Sequence, residues 1–139
     1  MADVKSIKRL RVYQTSRELE DSVYMLVKAL PETEFYALGN DLRRSSAAIS
    51  HYLMQCHRHY SHNLKLEALH LARTEAETLQ NLLLSHDAKG YGSTDHLGDA
   101  CISVIKQCWG LIKYFKQRQA EQSIAASVRA SDELVASRS

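Results

Sequence analysis

Leu97-Gly-Asp-Ala-Cys101-Ile102-Ser-Val104-Ile105-Lys106-Gln-Cys108-Trp109-Gly-Leu111-Ile112-Lys113-Tyr-Phe115 is the most regularly patterned stretch of the 139-residue chain. Leu97, Cys101, Val104, Cys108, Leu111 and Phe115 recur every three or four residues, which aligns them on one face of an α-helix. Three earlier segments carry the same period. Residues 63–85 give Leu69, Ala72, Ala76, Leu79 and Leu83. Residues 34–60 give Phe35, Leu38, Leu42, Ile49, Leu53 and Cys56, interrupted by Ser45-Ser46-Ala47-Ala48, whose small side chains let another backbone come close. Residues 8–30 give Val12, Leu19, Val23, Leu26 and Leu30, with Ser16 as the polar break. No alternating strand pattern competes. The breaks between segments fall where turn chemistry predicts them: Leu30-Pro31, the Tyr60-Ser61-His62-Asn63 turn, and the Gly90-Tyr91-Gly92 loop with Ser93 or Thr94 as N-cap.

Segments 8–30, 34–60, 63–85 and 94–119 joined by short turns predict an all-α, up-down-up-down four-helix bundle over residues 1–119. Residues 120–139 are rich in Ser and Ala and lack a sustained apolar face, so a frayed or disordered C-terminal tail is expected there. Helix propensity makes an extension of the last helix the alternative.

Composition agrees with one compact domain: 45% hydrophobic, 24% charged, five Gly, one Pro and a formal charge of +2. Three cysteines, Cys56, Cys101 and Cys108, without Cys-x-x-Cys spacing argue against a disulfide framework and for a reducing cytoplasm. The opening MADVKSIKRLRVYQ has no apolar h-region, and no stretch is apolar enough to span a bilayer, so neither secretion nor a membrane partner is expected.

Segment 94–119 carries a second stripe, Ile102, Ile105, Trp109 and Ile112, rotated about 100 degrees from the first. A bundle helix buries one stripe, so the second predicts an oligomer interface. Leu64, Leu71 and Leu82 add a similar excess on the third segment. Charge is uneven as well. Residues 41–73 hold Arg43, Arg44, Arg58, Lys65 and Arg73 against only Asp41 and Glu67, Arg44, His51 and Arg58 recur every seven residues with Gln55 and His62 beside them, and Lys106, Lys113 and Lys116 stand in a stretch without acids. Arg43, Arg44, Arg58, Lys65, Lys106, Lys113 and Lys116 are therefore the candidate nucleic-acid-binding residues, acting through phosphate charge. Solvated faces of amphipathic helices are the competing explanation.

Catalytic constellations are weak. Cys56, His59 and His62 have helical spacing but enclose Arg58 and have no carboxylate, so no metal site is expected. Glu75 and Glu77 point to different faces and are expected to solvate their helix, and Cys101 and Cys108 lie on the core stripe. The Gly90 loop has neither the strand nor the Lys of a phosphate loop. No enzyme, cofactor or small-molecule substrate is implied.

Several local patterns coincide: Leu10-Arg-Val-Tyr-Gln, Leu30-Pro31, Phe35-Tyr-Ala-Leu38-Gly39-Asn-Asp-Leu42-Arg43-Arg44, Asn63-Leu-Lys65-Leu-Glu-Ala-Leu69, and Ile105-Lys-Gln-Cys-Trp109-Gly110-Leu-Ile-Lys113. Over residues 8–118 the chain resembles the four-helix-bundle superfamily that contains the 23S rRNA intervening-sequence proteins and the accessory variability determinant proteins of diversity-generating retroelements. The Asn-Ile-Ala-Glu-Gly signature of the first branch is replaced by Ser50-His51-Tyr52-Leu53-Met54-Gln55. Leu38-Gly39, Lys65-Leu66-x-x-Leu69 and Trp109-x-x-x-Lys113 look more like the accessory branch. That resemblance implies a barrel-like homopentamer without catalysis of its own, which binds a reverse transcriptase and RNA or RNA/DNA to assist mutagenic cDNA synthesis. The other branch implies a structural oligomer with no nucleic-acid role.

Overall fold

The structure is a computed structural model and describes residues 10–138. It contains α1 (Arg11–Lys28), a single turn α2 (Glu32–Phe35), α3 (Leu38–Arg58), α4 (His62–Ala88) and α5 (Asp95–Arg138), with no strand among the described residues. The expected start of the first helix at residue 8 lies outside the described residues.

Around the bundle, α3 packs against α1 and α4, and α5 packs against α4 and α1, so α3 and α5 are diagonal. Neighbours run antiparallel. Ser50 on α3 donates to Glu20 on α1 at 2.8 Å, while Gly39 lies beside Val27. Ser45 on α3 donates to Glu75 on α4 at 2.8 Å. Trp109 on α5 meets His70 on α4, and Thr94 at the start of α5 meets Asp87 at the end of α4.

The predicted core positions of all four segments are buried or packed on the core. Ala68, Ala72 and Ala76 are buried on α4, and Ser45, Ser46 and Ser50 on α3. These short side chains let the helices approach, and each Ser hydroxyl has a hydrogen-bond partner, which removes the cost of burying it. Glu75 is thus tied to Ser45 on the neighbouring helix, where a solvated carboxylate was expected, while Glu77 stays half-exposed and pairs with Arg73 on its own helix at 3.0 Å. Gly39 lets α3 pass α1: an added Cβ would lie 3.1 Å from Val27 Cγ1.

The turns follow the expected chemistry with one exchange of roles. Ser61 caps α4 by accepting from the Leu64 amide. Gly90 and Gly92 take φ of 86° and 118° in the α4–α5 loop, a backbone region that suits glycine. Thr94 precedes α5, but its hydroxyl faces Asp87 instead of its own helix.

The tail differs from the frayed segment expected on residues 120–139. α5 continues through it to Arg138, reaching 44 residues, or about 65 Å at 1.5 Å per residue. The Ala content sustains helix, yet every side chain from Glu121 to Ser137 is exposed, so this portion buries nothing within its own subunit. Deleting residues 121–139 should leave the melting temperature of the bundle unchanged, as followed by circular dichroism. A drop of several degrees would mean that the tail supports the core.

Candidate nucleic-acid interface

The structure sorts the seven cations into three groups. The first is engaged within the subunit. Lys65 Nζ donates to the Cys56 carbonyl at 2.8 Å and lies 5.5 Å from the Phe115 ring centre. Cys56 is in the last turn of α3, where carbonyls lack helical partners, so Lys65 caps that helix and neutralises its negative end. Arg43 is likewise tied down. Its guanidinium donates to Asn40 Oδ1 and the Gly39 carbonyl and lies 5.0 Å from the Phe35 ring. Lys65 thus links α4 to the end of α3, while the bonds of Arg43 stay within α3 and its ring contact reaches only the preceding turn.

The second group is the outer face of α3. Arg44, His51 and Arg58 are all exposed there, with His51 Nε2 3.1 Å from Gln55 Nε2. Arg44 pairs with Asp41 at 3.5 Å, a solvent-exposed contact that contributes little. Arg58 forms no ion pair among the described residues.

The third group is on the outer face of α5, where Ile102, Lys106, Trp109, Lys113 and Lys116 follow at helical spacing. All three lysines are exposed and form no ion pair among the described residues. Trp109 is 46% exposed. The Arg73 guanidinium lies 4.7 Å from its ring centre, and His70 meets it edge-on at 5.7 Å. His70 titrates below the usual histidine range, first through partial burial and then through the positive charge of Arg73 and Lys116. Because α3 and α5 are diagonal, the two exposed basic faces point away from each other. One subunit does not merge them into a single patch.

The predicted interface stripe needs correction. Ile112 is 2% exposed and belongs to the subunit's own core, and Ile105 is half-buried against it. Contact with both α1 and α4 gives α5 a buried arc wider than one stripe. Ile102, at 39% exposure, and Trp109 are the members left on the surface.

Two features depend on tertiary contacts that periodicity does not reveal. At one end of the bundle, Leu10, Tyr13, Leu53, Cys56, Leu111 and Phe115 help line an apolar cavity of about 240 Å³. At the other, the Asp87 carboxylate accepts from the Thr94 amide at 2.9 Å, the Thr94 hydroxyl at 2.9 Å and His86 Nδ1 at 2.8 Å. His86 and Thr94 are buried, so this carboxylate clasps the α4–α5 loop. Desolvation alone would raise the Asp87 pKa, but the bonds from Thr94 and His86 outweigh it and lower the pKa below the ordinary carboxylate value. A lowered folded-state pKa contributes stability above the unfolded value and loses it as pH falls through the folded one. Asp87→Ala should therefore cost about 2 kcal/mol at neutral pH, from stranded buried donors. It should also flatten the loss of melting temperature below about pH 4. Thermal melts at pH 7 and pH 3 check both.

Cys56 is pushed up to about 11 by burial, partly offset by Lys65, and Cys101 and Cys108 are each pushed up to about 12, mainly by burial. All three thiols are protonated at neutral pH and poor nucleophiles. Among the described residues, no three His, Cys, Asp or Glu side chains group as metal ligands, and no helix is long and apolar enough to cross a membrane.

Residues 8–110 match the sequence profile of the 23S rRNA-intervening sequence proteins. The chain belongs to that family. A solved structure of a protein of unknown function from the S23 ribosomal protein family of Bacteroides thetaiotaomicron superposes with a TM-score of 0.69 at 19% identity, covering 73% of this chain and 98% of that one. At that identity the likeness concerns the fold. No curated protein matches the chain. The matched span of this intervening-sequence family member contains all of α1 to α4 and the Lys106 and Trp109 portion of α5.

Proposed function

We propose that this protein is a non-catalytic, self-associating RNA-binding protein of the cytoplasm. Specifically, it serves as the accessory protein of a diversity-generating retroelement, binding the reverse transcriptase and template RNA. The observation that carries RNA binding is the exposed row Lys106, Lys113 and Lys116 around Trp109, with no carboxylate pairing any of the three lysines among the described residues. Uncompensated cations on one helix face suit phosphates held by counterion release. A +2 subunit charge is small, but a homopentameric assembly repeats the face around a ring and sums its field over one RNA.

The reverse-transcriptase partner and the pentamer rest on the resemblance carried by Leu38-Gly39, Lys65-Leu66-x-x-Leu69 and Trp109-x-x-x-Lys113. The lack of catalysis rests on the same resemblance. A second reading, a structural oligomer of the intervening-sequence type, is favoured by one observation: Arg43 and Lys65, which sequence alone offers to RNA, are used inside the fold.

Titrating labelled single-stranded RNA with the purified assembly at low salt separates the two. Saturable binding, with co-purification of a reverse transcriptase encoded beside the gene, supports the accessory role. An assembly that binds no RNA, alone or with that enzyme, leaves the structural oligomer.

A further inference from the structure

Trp109 is a large aromatic ring held at the surface, and the structure fixes its orientation without a partner. Arg73 covers one face of the indole at 4.7 Å, and Arg73 is itself anchored to Glu77 at 3.0 Å, with its Nε buried. His70 buttresses the ring edge-on at an interplanar angle of 83°. With Arg73 over one face of the ring, Trp109 is still 46% exposed, which leaves indole surface open to a ligand. A rigid ring with open surface pays little ordering entropy on stacking. Lys106 and Lys113 flank it about one turn to either side, and Lys116 lies near enough to depress His70 electrostatically.

We infer that Trp109 is a stacking platform for single-stranded RNA, taking one nucleobase on the indole face opposite Arg73 while Lys113 and Lys116 hold the adjoining phosphates. The inference deepens the RNA-binding reading and rests on it. An aromatic ring set among cations is the combination that binds single strands without sequence preference, because every base has a π-face and every nucleotide a phosphate. Arg73 on the far side adds positive charge beneath the stack. A contact with a second subunit suits the face less well. Ile112 and much of Ile105 are already buried, so burying Trp109 there would gain one exposed isoleucine while desolvating three unpaired lysines.

Trp109 is the only tryptophan in the chain, so its emission reports on this site alone. The test titrates the intact protein with a short single-stranded oligoadenylate and, separately, with inorganic polyphosphate, which has charge but no bases. We expect oligoadenylate to quench Trp109 emission, and polyphosphate to compete for the protein without quenching. Trp109→Ala should weaken oligoadenylate binding by roughly 5- to 150-fold, the range for one stacked base, while Trp109→Phe retains most of it and polyphosphate affinity is unchanged in both. If oligoadenylate binds by anisotropy with unaltered emission and equal affinity for Trp109→Ala, the stacking inference fails and the RNA-binding reading stands. If neither polyanion binds, the reading fails and the inference with it. If Trp109→Ala shrinks the assembly in light scattering and leaves RNA affinity unchanged, the ring belongs to a subunit contact and the inference is wrong.

Discussion

Exchanging Lys106, Lys113 and Lys116 together for Glu should abolish RNA binding at salt concentrations where the parent protein binds, with helix content and melting temperature unchanged. The three side chains are exposed and form no ion pair within the described residues, so their loss removes nothing from the fold. Each exchange replaces an attraction for phosphate by a repulsion, and together they reverse the sign of a subunit whose formal charge is +2. The triple Ala variant should behave in a graded way. Three lost phosphate contacts lower the slope of log affinity against log salt by about 2 on a single strand. By contrast, Lys65→Glu should act through stability, because that ammonium caps α3 at the Cys56 carbonyl. Circular dichroism melts beside anisotropy titrations distinguish the two kinds of loss.

The second large effect separates two leucines on α4 that composition cannot tell apart. Leu69 is 0% exposed in the core, beside the apolar cavity at one end of the bundle, and Leu71 is 40% exposed. Leu69→Ala should cost about 3 kcal/mol, the transfer free energy of the lost methyl groups plus that of a cavity which close-packed neighbours fill only in part. That corresponds to a fall in melting temperature of about 10 °C for a domain of this size. Leu71→Ala should stay within about 0.5 kcal/mol of the parent. Equal losses at both positions would mean that the outer face of α4 is buried, as it would be in a subunit interface running along that helix.

The helical period made the four long helices and their inward faces legible, because apolar recurrence is set by the geometry of one helix and needs no knowledge of its neighbours. Leu97, Cys101, Val104 and Cys108 are buried for that reason. Ile112 was beyond the same argument. Its position on α5 is exposed or buried according to how far α4 wraps around the helix, which is a tertiary quantity. Among the candidate site residues, exposure of Arg44, Arg58, Lys106, Lys113 and Lys116 follows from their helix faces. The capping role of Lys65 arises from the chain reversal at Ser61 that brings it back to Cys56, and the Arg73–Trp109 stack joins two helices across their packing seam. The tail shows propensity acting where packing is absent: Ala-rich residues continue α5 although no apolar face is buried.

Whether RNA is held through phosphate by the outward basic faces is decided by the affinity of the intact assembly for one unstructured RNA across a salt series. Tight binding at low salt and a linear fall of log affinity with log salt are expected. The slope should be that of several phosphate contacts and become shallower when Lys106, Lys113 and Lys116 are neutralised. Absence of binding at low salt, or an affinity indifferent to both salt and those three lysines, would contradict RNA binding through phosphate.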